Sequence, residues 1–309
     1  MANNVNSFSS VPQELVELLS TELPYSLPLL RRLQFTKFSH GTSQHARVIF
    51  VSDTQLSSRP KAYTAAYLDF SKMESQMFIY STLEHSRNKD GTDSGGVYEQ
   101  QLGAVVQEVI RLRKEYGQEL LQIFTNPDRI LVGSLHSETR SVLERFEGRV
   151  APRPSGLFDK WLMKRDALPP PDDSLPSGMY WDSANLDDCR IIVSRTDIPR
   201  SPEELVVLPN LMIKLQDKTP IVWALLSIDG SLISVYCEEP YRRRGLATKL
   251  AAKLLREKAS LYGNDGLMSA DVSPTNTSSR AMCKSLGGEP DWTVSWICLD
   301  LSETLANLN

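Results

Sequence analysis

The sequence predicts a two-domain chain of mixed α+β or α/β class, and three observations carry that prediction. Across residues 231–257 the apolar period switches from a β-favouring run (Leu232, Ile233, Val235, Tyr236, Cys237) to helical spacing (Leu246, Ala247, Leu250, Ala251, Leu254, Leu255). The two halves repeat one rough order of helices, antiparallel strands, a long helix, a strand and a helix. Between them, residues 168–178 (Leu-Pro-Pro-Pro-Asp-Asp-Ser-Leu-Pro-Ser-Gly) read as a semi-rigid, solvent-facing connector. The expected division is therefore 1–167, a linker at 168–178, and 179–309.

In chain order, Ser10-x-x-Gln13 resembles a capping box and, with Pro12 in the first turn, opens a helix to about Leu23. A second helix starts near Ser26 and carries Leu29, Leu30 and Leu33. Strands are expected at 46–52, 63–70 and 76–81, and the polar run 86–96 reads as a mobile loop. A long helix at 97–116 has Leu102, Val105, Val106, Val109, Ile110 and Leu112 on its buried side. Residues 129–133 read as a strand, and 138–146 as a helix introduced by Ser137. In the second half, Pro202 and Glu203-Glu204 mark the first turn of a helix at 201–208. Turns at 217–220 and 228–231, the latter an Asp-Gly hairpin, bracket a strand at 221–226. Then come the strand and helix of 231–257, a strand at 266–272, a short helix stopped by Gly287-Gly288, and a last strand at 292–299.

Bulk properties narrow the function. The chain has 309 residues, 41% hydrophobic and 23% charged, which is the composition of a soluble globular protein able to bury two cores. A net charge of -4 argues against a nucleic-acid partner. No apolar run approaches the roughly 20 residues that span a bilayer, and residues 1–4 lack both a signal peptide's apolar core and a presequence's arginines. The four cysteines (Cys189, Cys237, Cys283, Cys298) have no paired short spacing, so neither a metal site nor a disulfide framework is expected. Together these imply a cytosolic chain without a membrane partner, as monomer or homodimer.

The turn Arg242-Arg243-Arg244-Gly245-Leu246-Ala247-Thr248 has the chemistry of an anion cradle. A helix start carries unpaired N–H groups and about half a positive charge, and Gly245 and Ala247 leave the approach open. Each guanidinium that meets a phosphate oxygen adds roughly 1.5–3 kcal/mol, so two or three outweigh a dipole contribution of about 1 kcal/mol. A solvated charge run is the competing reading. The Gly-x-Gly-x-x-Gly of dinucleotide folds and the Gly-Lys-Ser/Thr of P-loops are absent.

Strand, Arg-x-x-Gly-x-Ala turn, helix, strand, Asn276-x-x-Ser279 helix, Gly-Gly and strand, in that order, resemble the GNAT superfamily of acyl-CoA-dependent N-acyltransferases. The Asp291-Trp292 and Trp296 ending resembles the glycine N-acyltransferase-like branch and its fungal relatives. The resemblance is specific over 211–301 and weaker over 181–210. It implies tandem GNAT-like domains, each a mixed, mostly antiparallel twisted sheet flanked by helices, with a degenerate first domain serving as scaffold. It also implies acetyl-CoA or another acyl-CoA as co-substrate, held by the cradle, by Tyr236 and Cys237 on a splayed strand that offers an oxyanion N–H, and by Asn276 and Ser279.

The acceptor would be a small amine or amino acid. In the superfamily the region of Arg195 and Arg200 lines its site, where they would meet an acceptor carboxylate, with ordinary loop arginines as the competing reading; Trp292 and Trp296 read as core first and as an acceptor wall second. For the base the chain departs from pattern. All four histidines (His40, His45, His85, His136) lie in the first half, and Ser231 stands where similar glycine acyltransferases carry a proposed glutamate. Glu238, Glu239 and Asp271 are the carboxylates nearest the expected site. Cys283 stands where many members have a tyrosine that protonates the departing sulfur. The expected reaction is direct amine attack on the thioester through a tetrahedral intermediate. An inactive acyl-CoA-binding module and a protein N-acetyltransferase are the alternatives.

Overall fold

The computed structural model describes residues 4–71, 77–85, 96–116 and 128–302. The apolar runs read as strands form β2 (Ala46–Ser52), β3 (Tyr63–Asp69) and β4 (Met77–Ser81), after β1 (Asn4–Phe8), α1 (Gln13–Thr21) and α2 (Leu27–Phe35). Then follow α3 (Val97–Glu115), β5 (Arg129–His136), α4 (Ser137–Leu143) and β6 (Val150–Lys164). The second half contributes β7 (Met179–Asp182), α5 (Leu186–Ser194), α6 (Pro202–Val206), β8 (Asn210–Leu215), β9 (Pro220–Leu226) and β10 (Leu232–Cys237). It closes with α7 (Leu246–Lys258), β11 (Leu267–Val272), α8 (Thr277–Ser285) and β12 (Glu289–Asp300).

The chain divides into one unit of 1–157 with 293–309 and another of 158–292. In the first, strands follow the order β1-β2-β3-β4-β5-β12, antiparallel except for the parallel β4/β5 contact. The 3.6-residue period of α3 buries Leu102, Val105, Val106 and Val109 against Ile49, Val51 and Leu135, together with Ile297 and Leu299 of β12. Ile110, expected on the same face, is only partly buried. In the second unit β10-β9-β8-β7 form an antiparallel sheet, β11 pairs antiparallel with β6, and α7 buries Leu246, Leu250, Ala251, Leu254 and Leu255.

Several local expectations are corrected. Pro12, with no side-chain bond, is the N-cap of α1 in place of Ser10, and His136 caps α4 by accepting the Glu138 N–H at 3.1 Å. Strand β6 went unread because Pro152, Pro154 and Gly156 break its apolar pattern. The unit boundary at 157/158 also falls earlier than the expected 167/168, and residues 293–302 join the first unit because β12 pairs with β5 from Val294↔His136 to Asp300↔Arg129. Residues 168–178 are thus no linker between units. They lie inside the second, strapped along α7 by Lys249–Asp172 (2.5 Å), Lys253–Asp173 (2.7 Å) and an Arg256 bond to the Pro169 carbonyl. The loop expected at 86–96 lies, except for Gly96, outside the described residues.

Candidate active site

The hairpin between β9 and β10 closes with Gly230 at φ 71°, the left-handed region its sequence calls for. From there β10 pairs with β9 through Ile233↔Leu225, then slips by one residue before Tyr236↔Trp223. The extra residue is a β-bulge, with Ser234 at φ 50°. On its other side β10 meets β11 through a single parallel bridge, Ser231↔Ser269, and joins no ladder with it. Beyond that bridge no pairing joins the two strands, so the main-chain polar groups on this side of β10 have no strand partner. Glu238 donates its N–H to Ile221 on the β9 side (2.9 Å), so the two-residue period turns the Cys237 N–H toward that unpaired side.

The basic turn lies at the open end. A 3-10 turn, Glu239–Tyr241, leads to Arg243 at φ 61° and Gly245 at φ 73°. Gly245 is the N-cap of α7, and a methyl group built on it meets nothing within 4 Å, so the approach to the helix mouth is unobstructed. The N–H groups of Leu246, Ala247 and Thr248 occupy the first turn, where no intrahelical acceptor exists. Two arginines brace the turn. Arg242 donates to the Cys237 carbonyl (2.9 Å) and the Tyr236 hydroxyl (3.3 Å), and Arg244 donates to the Pro240 carbonyl (2.8 Å) with its guanidinium 5.6 Å from the Tyr241 ring centre. Tyr236 in turn stacks on Trp223 at 4.9 Å. All three arginines are exposed, and a guanidinium has five N–H donors, so these bonds orient each fork without exhausting it.

Other expected residues converge on β10. Arg195, which ends α5, pairs with Glu238 at 3.0 Å, and Arg200 donates to the Ser234 hydroxyl at the bulge (3.2 Å). Glu239 is exposed at the strand end. Asp271 faces Lys160 across β11/β6 with 2.6 Å between their charged atoms. Asn276 caps α8 by accepting the Ser279 N–H at 3.0 Å, so its carbonyl already has a local partner.

The structure does not bring all the candidates here. Cys283 is fully buried on α8, and burial pushes its thiol up to about 11, which keeps it protonated near neutral pH. Trp296 belongs to the first unit, where it packs edge-on against Phe78 and covers Gly133, whose position leaves no room for a methyl group. It packs there as a core residue, the first of the two readings given for it. Trp292 is half-buried at the last position of the second unit. Sequence reasoning missed Ser234 and Lys160, though each is a polar residue interrupting an apolar strand run. Among the described residues no group of three or more His, Cys, Asp or Glu is placed to hold a metal, and no helix is long and apolar enough to cross a membrane.

Both halves are GNAT-like in fold and stand in tandem, as the two family models and the solved structures below bear out. The family model described as the acyl-CoA N-acyltransferase verG N-terminal domain matches residues 3–161, and that of the FR47-like protein matches 214–297. As the first spans just over half of the sequence, the chain belongs to that acyl-CoA N-acyltransferase family. No curated protein matches.

Solved structures similar to it include a Drosophila protein at 16% identity, covering 96% of this chain and 99% of that one with a TM-score of 0.66. A tandem GNAT protein from the clavulanic acid biosynthesis pathway has 11% identity, coverage of 98% and 100%, and a TM-score of 0.54. A GCN5-related N-acetyltransferase from Sphaerobacter thermophilus has 14% identity, coverage of 96% on both sides, and a TM-score of 0.50. At these identities the likeness is one of fold.

Proposed function

We propose that the chain transfers an acyl group, acetyl foremost, from acyl-CoA to the amine of a small molecule or amino acid. The observation that carries this reading is the juxtaposition of an unobstructed, amide-rich helix mouth at Gly245 with the free edge of β10. The first-turn N–H groups of α7 and the guanidinium forks of Arg242, Arg243 and Arg244 suit a diphosphate. The exposed β10 edge suits an amide-bearing arm, which pairs as an added strand does. The thioester supplies an activated carbonyl, and the Cys237 N–H, turned away from β9, suits negative charge developing on its oxygen. Arg200, which donates to Ser234 at the bulge, suits an acceptor with a carboxylate, while Arg195 is held by Glu238 at the strand end. A cytosolic location and a single co-substrate site per chain complete the reading.

An acyl-CoA-binding module without turnover is the second reading, favoured by the burial of Cys283 and the absence of histidine from residues 158–302. Thiol release from acetyl-CoA with a panel of amines separates the two: release with at least one amine supports transfer, and binding without release on any of them leaves the module. For the cradle itself, Arg244→Glu with Gly245→Asp is expected to abolish acetyl-CoA binding in calorimetry while circular dichroism shows the fold retained, with a modest fall in melting temperature because Gly245 sits at φ 73° and Arg244 braces the Pro240 carbonyl. Unchanged affinity would show the cradle to be misassigned.

A further inference from the structure

A cleft of about 520 Å³ lies beside α7, between that helix and the proline-rich strap. Its volume is that of a small-ligand pocket, about 300–1,000 Å³. Gly245 and Thr248 line one end, so the cleft opens onto the helix mouth, and Lys249, Lys253 and Arg256 follow along the same face of α7 at helical spacing. Opposite them, Pro169, Pro170 and Pro171 form an apolar wall. Of the charged side chains that line it, three are cationic and one, Asp172, is a carboxylate.

The acidic residues of the strap hold two of these cations on terms that a stronger anion improves. Lys249 meets Asp172 at 2.5 Å and donates to the Ser174 carbonyl (2.9 Å), and Lys253 meets Asp173 at 2.7 Å. The lysine side chains are only 24% and 17% exposed, whereas those of Asp172 and Asp173 are 54% and 71% exposed, so the carboxylates are the partners free to swing away. Ion pairs this open to water are weak. Lys249, helped by Ser174, holds the Asp172 carboxyl well below its ordinary range, so it stays ionised near neutral pH and competes for the ammonium. A phosphate monoester carries nearly twice that charge on three acceptor oxygens and wins the competition. The wall does not depend on these pairs, because Arg256 also donates to the Pro169 carbonyl and the Trp181 indole donates to that of Asp173 at 3.0 Å.

We infer that this cleft seats the nucleoside 3′-phosphate end of the co-substrate: Lys249 takes the phosphate in place of Asp172, and the base lies against the prolines. This rests on the acyl-CoA reading, in which the helix mouth seats the diphosphate alone. Lys249 is one helical turn past Gly245 and Lys253 is two, so a phosphate one nucleoside away from the mouth meets Lys249 first. Asp172 then sets selectivity. A thioester that lacks the 3′-phosphate leaves the Asp172–Lys249 pair closed and gains nothing from the cleft's cations.

Calorimetry with acetyl-CoA and with its 3′-dephospho analogue, on the parent chain, Lys249→Gln and Asp172→Asn, tests the seat. The parent is expected to bind acetyl-CoA about tenfold or more tighter than the analogue, the scale of one charge-assisted hydrogen bond. Lys249→Gln should bring the two affinities together by weakening acetyl-CoA alone. Asp172→Asn, which removes the competitor, should widen the ratio by tightening acetyl-CoA most. A Lys249 that only ties down the strap would instead weaken both ligands alike. Equal affinities in the parent, a ratio that survives Lys249→Gln, or no widening in Asp172→Asn overturns the seat and leaves the acyltransferase reading standing. Binding of neither thioester overturns both. Should Lys249→Gln fail to fold, the parent ratio and Asp172→Asn decide.

Discussion

Arg195 and Arg200 use the same guanidinium for different ends. Arg195 is spent on Glu238, a half-exposed pair that adds about 0.2–1 kcal/mol. Arg200 reaches the Ser234 hydroxyl at the bulge, which puts a cation beside the edge of β10 proposed for the acceptor. With Arg200→Ala, KM for an acceptor bearing a carboxylate is expected to rise about tenfold or more, the scale of one charge-assisted hydrogen bond, while KM for an uncharged amine and the affinity for acetyl-CoA stay put. Equal rises for both acceptors would mean that Arg200 only braces the bulge. At this scale the sequence exposed residue type and order but not attachment. The three consecutive arginines announced a cradle, yet nothing in their spacing revealed that Arg242 and Arg244 fold back onto the carbonyls of Cys237 and Pro240. Cys283 looked available on a short helix, and only tertiary packing closes it off.

Among the elements, those with an unbroken period were legible and those that bend were not. Strand β2 and the start of α3 fall where alternation and helical spacing put them. Strand β1 is mostly polar, β6 carries two prolines, and the bulge in β10 is a single serine within an apolar run, so none announces itself by periodicity. The end of β4 carries a further testable feature. Glu84 accepts hydrogen bonds from the Ser81 N–H (3.2 Å) and the Thr139 hydroxyl of α4 (2.6 Å), and burial pushes its carboxyl up to about 8. A carboxyl whose folded value lies above its unfolded one keeps a proton that the unfolded chain has released. Its contribution to stability is therefore full below about pH 4.5 and is lost as the pH climbs to about 8. Denaturant midpoints of the first unit should fall across that window, and Glu84→Gln, neutral throughout, should flatten the fall. Parallel slopes for parent and variant would show that Glu84 does not titrate there.

For the molecule as a whole, the tandem layout was readable from the repeated order of elements, but its seams were not. A proline-rich run looks like a linker until Lys249, Lys253 and Arg256 are seen to bind it, and a terminal strand gives no sign in its own sequence of which sheet it will join. The layout matters for function because both units are GNAT-like while the basic turn occurs in one. The central claim, that acyl-CoA seats on the α7 mouth and along β10, is tested most directly by amide hydrogen exchange with and without acetyl-CoA. Slower exchange is expected at Cys237 and at Leu246, Ala247 and Thr248, with α3 and the strands of the first unit unchanged. Protection at the start of α3 instead, or none at the first turn of α7, would contradict it.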